Sequence, residues 1–178
     1  MNLPNKITIF RMCMIPFFLV FFLIDSIPYG NIIALTIFII ACLSDALDGY
    51  LARKHNLVTN FGKFMDPLAD KLLVCTALLC FVEQGTLNLI VAIVIVAREF
   101  IISGFRLVAA EGGLVLAASY WGKFKTATQM VMCILLILHL EYPWFAMLET
   151  VFIWLSFALT VISLLDYLVK NKSVLNTK

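Results

Sequence analysis

From Asn31 to Arg53 the chain reads NIIALTIFIIACLSDALDGYLAR. The first part of this stretch is almost wholly apolar, and two aspartates, Asp45 and Asp48, follow at a spacing of i and i+3. At about 1.5 Å per residue, a helix of this length crosses the ~30 Å hydrocarbon core of a bilayer. The stretch therefore predicts a transmembrane helix that ends with two carboxylates on one face.

The same apolar character extends through the whole chain. Apolar residues make up 63% of its 178 residues and charged residues 13%. A soluble domain is nearer half apolar and a quarter charged, so this chain could not cover itself with polar surface in water. Turn residues and charges divide it into six apolar runs: Ile7–Ile24, Asn31–Arg53, Lys63–Val82, Leu87–Ala109, Lys123–Leu140 and Phe145–Val169. We therefore predict an all-α membrane protein with six transmembrane helices that form a single domain over residues 1–178.

Basic residues lie on one side of this predicted bundle. If the N-terminus is cytoplasmic, all 13 lysines and arginines fall in cytoplasmic regions. The outer side then carries Asp25, Glu83, Glu141 and Glu149. Under the positive-inside rule, this distribution predicts a multi-pass protein of the cell membrane with both termini in the cytoplasm. The net charge of +2 is too small to indicate a nucleic-acid partner.

Cysteine and histidine do not suggest a metal site. The five cysteines lie in apolar runs without a CxxC pattern, which predicts small buried side chains rather than disulfides or a zinc site. His55 falls in a loop and His139 at an outer helix end, and neither has an evident partner in the sequence.

Four aspartates near the inner ends of the second and third runs are the strongest functional signal. Asp45 and Asp48 are spaced i,i+3, and Asp66 and Asp70 are spaced i,i+4, so each pair lies on one helix face. Charges inside a membrane span are costly and indicate function. Because a short loop joins the two runs, we expect the carboxylates to converge, and divalent cations would relieve their repulsion. Oxygen ligands favour Mg²⁺, Mn²⁺ or Ca²⁺ over zinc, and paired metal ions are a common device for displacement at phosphorus.

The residues around the first aspartate pair fit a ligand. Gly49 and Ala52 lie four and seven residues after Asp45, where small side chains would let a ligand approach the backbone. Arg53 follows with a planar fork that suits a diphosphate. The alternatives are close helix packing through the small residues, and a buried network in which lysines and arginines neutralise the carboxylates.

Together these residues read DALDGYLAR, then eight further residues, then GKFMDPLAD. The segment matches DxxDGxxAR…GxxxDxxxD at every fixed position and resembles the signature of the CDP-alcohol phosphatidyltransferase family. The resemblance implies six transmembrane helices, two divalent ions (Mg²⁺ or Mn²⁺) and a homodimer. It implies that the four aspartates bind metal and that Asp70 is also the general base. The residues implied to bind the CDP-lipid are Thr8, Gly49, Ala52 and Arg53.

Three further segments are similar to the bacterial members that make phosphatidylglycerophosphate. They are Asn2–Arg11, Ala97–Arg106 and Gly122–Gln129. This resemblance implies transfer of the phosphatidyl group from CDP-diacylglycerol to glycerol 3-phosphate. Cardiolipin synthases share some of these segments, so phosphatidylglycerol, inositol phosphate and serine remain alternative acceptors.

Basic side chains within and beside the apolar runs indicate a second anion. Arg98 and Arg106 are eight residues apart on nearly one face of the fourth run, and Lys123 and Lys125 open the fifth. Cations near an acidic metal site need anions, and an acceptor that carries a phosphate supplies one. Glu99 would orient Arg98 or Arg106. Alternatively, these cations only mark cytoplasmic loops or bind lipid headgroups.

The predicted mechanism is direct displacement at the cytoplasmic face. Asp70 would take the proton from the acceptor hydroxyl, which attacks the lipid-linked phosphorus while CMP departs. A different class is a cation transporter, because intramembrane carboxylates also line ion paths. These aspartates lie near one surface among basic residues, which disfavours that reading. A lipid-binding scaffold is the third alternative.

Overall fold

The chain is helical through nearly all of the part that a computed structural model describes, residues 3–24, 26–54, 60–111 and 119–171. Side chains are described in these ranges except at residues 3–4, 46–54, 60–64, 66–67, 70 and 110–111. The helices are α1 (Leu3–Leu23), α2 (Gly30–Lys54), α3 (Asn60–Glu83), α4 (Leu89–Glu111), α5 (Tyr120–Leu138) and α6 (Pro143–Lys170). The described residues contain no strand, which confirms the all-α prediction.

Each predicted apolar run corresponds to one helix, but the helices extend into polar turns. α5 begins at Tyr120, ahead of the predicted start at Lys123. Hydropathy marks where a helix is apolar, whereas backbone hydrogen bonding continues into polar residues. α6 begins at Pro143, which is tolerated in a first helical turn because that turn's N–H groups need no partner within the helix.

The helices form two compact units, residues 1–84 and 85–178. In the first, α1 packs against α2 and α3. The buried face of α1 follows a helical spacing through Asn5, Thr8, Arg11, Ile15, Phe18 and Phe22. Its apolar end is held by aromatic contacts, with Phe18 stacked on Phe22 at 5.4 Å between ring centroids and Phe22 edge-on to Phe81 at 5.7 Å. The N-terminal half of the same face is polar.

In the second unit, α6 packs against both α5 and α4. α5 and α6 are joined by a tight turn and contact each other at both ends, through His139 with Glu149 and Ser119 with Asp166. They are therefore antiparallel. The buried face of α6 is largely polar, and two of its hydroxyls bond to their own helix: Thr160 donates to the carbonyl of Ser156 at 2.7 Å and Ser163 to that of Thr160 at 3.1 Å.

Two helices among the described residues are long and apolar enough to cross a membrane, Asn5–Leu23 and Pro143–Lys170. Gly30–Asp45 is a shorter apolar segment. The remaining helices are less uniformly apolar: α4, for example, carries Arg98, Glu99 and Arg106 in its middle. Six spans, cytoplasmic termini and a single domain over residues 1–178 therefore remain predictions. Of the five cysteines, Cys80 and Cys133 are buried as predicted, Cys42 and Cys75 are half-buried, and Cys13 is exposed, so the prediction of a buried side chain is wrong for Cys13.

Candidate functional site

The four aspartates lie on the facing ends of consecutive helices. α2 continues as helix to Lys54 and α3 begins at Asn60, so the predicted i,i+3 and i,i+4 spacings act on helical backbone. α2 and α3 both pack on α1 and contact each other. Of the four carboxylates the structure describes only that of Asp45. The side chains of the other three aspartates and the predicted CDP-lipid contacts Gly49, Ala52 and Arg53 lie outside the described residues, so their convergence stays a prediction.

Asp45 forms an ion pair with Arg11 of α1. Arg11 Nη1 donates to Asp45 Oδ1 at 2.5 Å. The Arg11 side chain is 1% exposed, whereas that of Asp45 is 41% exposed. Thr8, the predicted CDP-lipid contact on α1, is fully buried three residues earlier on the same helix face. The polar end of α1 is thus packed in the unit that carries the four aspartates.

The donor set is suited to hard divalent cations. No group of three or more potential metal ligands occurs among the described side chains, which include only one of the four aspartates. Carboxylate oxygens are the ligands that Mg²⁺ and Mn²⁺ prefer. The ion pair engages Oδ1 of Asp45, so Oδ2 is the oxygen available to a cation. The predicted carboxylates are therefore of the chemical kind that such an ion prefers.

A second group of charges lies where α4, α5 and α6 meet. Both Lys125 Nζ and Arg98 Nη1 contact Oε1 of Glu99, the arginine at 3.3 Å. Arg98 Nε also donates to Ser163 Oγ on α6 at 3.2 Å. The Lys125 side chain is 1% exposed, and Arg98 is buried as well. Two buried cations thus share one carboxylate, which leaves a positive charge that an anion can complement.

The arginine of this group lies close to α5 at Gly122. A Cβ atom added at Gly122 would lie 3.4 Å from Nη2 of Arg98. That is ordinary van der Waals contact for one carbon and leaves little room for a larger side chain. The Arg98 guanidinium thus lies against the start of the predicted Gly122–Gln129 segment.

The other two predicted phosphate ligands lie at exposed positions. The Arg106 guanidinium lies 6.0 Å from the centroid of the Tyr167 ring, and Lys123 Nζ lies 5.5 Å from that of Tyr120. Lys123 and Lys125 are two residues apart, which places them on different helix faces. The structure therefore brings Arg98 and Lys125 together through Glu99, whereas Lys123 lies exposed beside the Tyr120 ring.

Comparison with known proteins gives the family. The family model for CDP-alcohol phosphatidyltransferase matches residues 1–162. The chain belongs to the CDP-alcohol phosphatidyltransferase family. The resemblance predicted from the aspartate pattern is thereby confirmed, and with it the assignment of the chain to a class of transferase enzymes.

Several relatives of this phosphatidyltransferase carry the name CDP-diacylglycerol–glycerol-3-phosphate 3-phosphatidyltransferase. That of Bacillus subtilis (strain 168) is 43% identical over 99% of this chain and 98% of its own length. That of Rickettsia bellii (strain RML369-C) is 37% identical over 93% of each chain. That of Haemophilus influenzae is 47% identical over 73% of this chain and 72% of its own.

Two contacts of this phosphatidyltransferase were not predicted from its sequence, and a third was predicted in part. The pairing of Arg11 with Asp45 joins residues 34 apart, beyond the reach of helical periodicity, although an arginine inside an apolar run was a signal. His139 has a partner, so that prediction was wrong: its Nδ1 lies 3.0 Å from Glu149 Oε1 across the turn between α5 and α6. Glu99 contacts Arg98, as one of the two expected options had it, and also Lys125.

Proposed function

We propose that this phosphatidyltransferase transfers the phosphatidyl group of CDP-diacylglycerol to glycerol 3-phosphate, giving phosphatidylglycerophosphate and CMP. Relatives that match nearly the full length of the chain bear the name of this reaction, which supports the proposal. The structural observation that carries it is the pair of buried cations, Arg98 and Lys125, held by Glu99. An acceptor with its own phosphate would complement that pair.

The aspartates form the metal and proton-transfer part of the proposed site. The proposed ligands of two Mg²⁺ or Mn²⁺ ions are Asp45, Asp48, Asp66 and Asp70. When bound, such ions neutralise the diphosphate and stabilise charge on the departing CMP. Asp70 is the proposed general base, which accepts the proton of the acceptor hydroxyl as that oxygen attacks phosphorus. The P–O bond to CMP breaks as the new P–O bond forms, so no covalent enzyme intermediate is required.

The CDP-lipid would be held next to these carboxylates. Arg53 offers its planar fork to the diphosphate, while Gly49 and Ala52 leave room for the nucleotide beside α2. Thr8 on α1 completes the proposed set. The acyl chains of the substrate would remain in the bilayer, since the site lies at the ends of apolar helices.

Charge balance supports a phosphate on the acceptor. Arg98, Lys125 and Arg106 bring three positive charges, and Glu99 offsets one of them, which leaves two. A phosphate monoester carries about −1.5 to −2 near pH 7, so it would match this remainder. Lys123 would contribute at the edge of the site, where the structure has it exposed.

The proposed setting is the cell membrane, with six spans, both termini and the active site on the cytoplasmic side, and a homodimer as the assembly. The one-sided distribution of lysine and arginine supports the orientation. The two long apolar helices support membrane insertion.

The test measures CMP release by purified protein from CDP-diacylglycerol and glycerol 3-phosphate. Release should require Mg²⁺ or Mn²⁺ and stop with a chelator. Asp45→Asn, Asp48→Asn, Asp66→Asn and Asp70→Asn should each lower kcat by at least ~100-fold, since the ions supply several kcal/mol of transition-state stabilisation. Near-normal activity in any two of these variants would reject the metal assignment. Cation flux into vesicles without CMP release would indicate a transporter instead.

A further inference from the structure

Arg11 is a charged residue in an unusual place. It lies within Asn5–Leu23, one of the two helical segments long and apolar enough to cross a membrane. The residue is fully buried in the first unit. A buried charge is costly unless it is paired, and in membrane segments such charges usually have a function. Its recorded ion-pair partner is Asp45, the first aspartate of the DxxDG pattern.

The geometry of this pair restrains the carboxylate. The bond from Nη1 to Oδ1 is 2.5 Å, and it joins α1 to α2 across 34 residues of chain. Guanidinium donors point in fixed directions, so a buried arginine holds a carboxylate in one rotamer more firmly than a flexible ammonium does. Arg11 itself is enclosed, whereas the carboxylate is part-exposed. The buried side of Asp45 is therefore anchored and its open side is free to face a ligand.

We infer that Arg11 is a positioning residue of the metal site: it fixes the Asp45 carboxylate through Oδ1 so that Oδ2 is presented to a divalent cation. The inference rests on the proposed function, which makes Asp45 a metal ligand. Hydrogen-bond partners that orient metal ligands change metal affinity by about 10- to 100-fold when they are replaced.

A plain counter-charge would act in the opposite direction. If Arg11 served only to neutralise Asp45, its charge would repel an incoming cation, and removing that charge would strengthen metal binding. If Arg11 positions Asp45, losing its planar guanidinium weakens metal binding whether or not the substitute keeps a positive charge. The two roles therefore predict opposite changes in metal affinity when Arg11 is replaced by a neutral residue.

Manganese binding to purified protein without substrate, measured by calorimetry, distinguishes them. Arg11→Lys keeps the charge and Arg11→Gln keeps one N–H donor, and both should weaken Mn²⁺ affinity by about tenfold or more. Lys6→Gln is the matched control, because Lys6 is an exposed cation on the same helix. It should leave affinity unchanged.

Wild-type affinity in Arg11→Lys, or tighter binding in Arg11→Gln, would overturn the inference. Thermal unfolding without metal identifies an Arg11 variant that fails to fold. The Mn²⁺ affinity of the other Arg11 variant then tests the inference.

A double-mutant cycle tests whether Arg11 acts through Asp45. In an Asp45→Asn background, Arg11→Lys should cause no further loss of Mn²⁺ affinity, because the carboxylate it positions is gone. An additional tenfold loss there would contradict the inference.

Asp48→Asn separates the two proposals. If Mn²⁺ binding survives both Asp48→Asn and Asp66→Asn, the metal assignment of the proposed function fails. If Asp48→Asn removes binding while both Arg11 variants keep it, only the role of Arg11 is wrong.

Discussion

Glu99 is the residue on which the candidate acceptor site depends. Its carboxylate contacts Arg98 from its own helix and Lys125 from α5. Removing it would leave two buried cations without compensation, which is more harmful than losing an exposed pair. The cluster is therefore formed before any substrate binds, with its cations already close together. Such preorganisation favours tight binding of an anion because little reorganisation is needed.

Arg106 is the position at which phosphate binding can be tested with least damage to the fold. It is exposed and packs over Tyr167, so its removal leaves Glu99 paired. Arg106→Ala should raise the KM for glycerol 3-phosphate by about 10- to 150-fold, the effect of losing a charge-assisted contact of about 1.5–3 kcal/mol. The KM for CDP-diacylglycerol should stay the same. Steady-state kinetics with each substrate varied in turn measures both.

Two companion variants make the Arg106 measurement specific. Arg106→Lys should recover part of the loss, since the charge remains while the planar fork is absent. Lys172→Ala removes a cation from the stretch that follows α6 in the sequence, and it should leave both KM values unchanged. A rise in the KM for CDP-diacylglycerol as large as that for glycerol 3-phosphate would contradict an acceptor role for Arg106.

Individual residues also show where sequence reasoning stops. The spacing of Asp45 and Asp48 predicted a shared helix face, because that depends on local periodicity alone. The partner of Asp45 could not be read in the same way, since Arg11 reaches it through the packing of α1 on α2. The sequence predicted Lys125 as one of the cations that bind the acceptor phosphate. That it is enclosed against Glu99 depends on how α4 and α5 meet.

At the scale of elements, the start of α5 is held by α6. Ser119, the residue before the helix, makes no side-chain bond to the helix it precedes. Its hydroxyl donates instead to Asp166 Oδ2 at 2.5 Å, and Lys170 pairs with the other carboxylate oxygen at 2.7 Å. α5 carries Lys123 and Lys125 within its first two turns. The Asp166 contact therefore helps to place the basic residues of the proposed acceptor site.

Loss of this contact should loosen the start of α5. Asp166→Ala or Ser119→Ala should each speed hydrogen exchange of the first α5 amides by about 5- to 10-fold, the effect of losing roughly 1 kcal/mol of local stability. The double variant should show no greater effect than either single one, because both remove the same bond. Thr128→Ala is the control, since that hydroxyl bonds within its own helix, to Phe124. Additive effects would show that Asp166 and Ser119 act separately.

The elements themselves were predictable because their main signal is local. Six runs of apolar residues gave six helices, and the ends of α2 and α3 fell near the predicted limits. Which helices pack against each other was harder to predict from the sequence. The contact of α1 with α3 and the joint packing of α4 and α5 on α6 depend on which faces are polar and buried. On α6 the buried face carries Ser156, Thr160 and Ser163. A search for apolar runs finds the whole helix but does not show which of its faces is buried and which faces lipid.

At the scale of the molecule, the surface of each unit is strongly apolar. Large hydrophobic side chains such as Phe100, Leu107 and Trp154 are exposed on α4 and α6. Soluble proteins rarely expose so many, whereas lipid-facing helices do. Several polar residues of the same helices, among them Arg98, Thr160 and Ser163, are buried. The chain thus combines a lipid-compatible exterior with charged groups enclosed between helices.

The six-span orientation can be tested by labelling. In a background without the five native cysteines, His55→Cys and Gln84→Cys place single thiols in the two loops predicted to lie on opposite sides. A membrane-impermeant thiol reagent added to intact cells should label the position 84 variant and not the position 55 variant, as the positive-inside rule predicts. After permeabilisation both should react. Labelling of both in intact cells would reject the orientation.

The most direct test of the proposed function is competition among acceptors. Purified protein with CDP-diacylglycerol and Mg²⁺ is given equal concentrations of glycerol 3-phosphate, serine, inositol phosphate and phosphatidylglycerol, and the lipid products are identified by mass spectrometry. Phosphatidylglycerophosphate should dominate, because Arg98, Arg106 and Lys125 favour an acceptor that carries a phosphate. Inositol phosphate also carries one, so its poor use would support selection beyond charge. If any other acceptor reacts faster than glycerol 3-phosphate, the family assignment stands and the proposed acceptor is wrong.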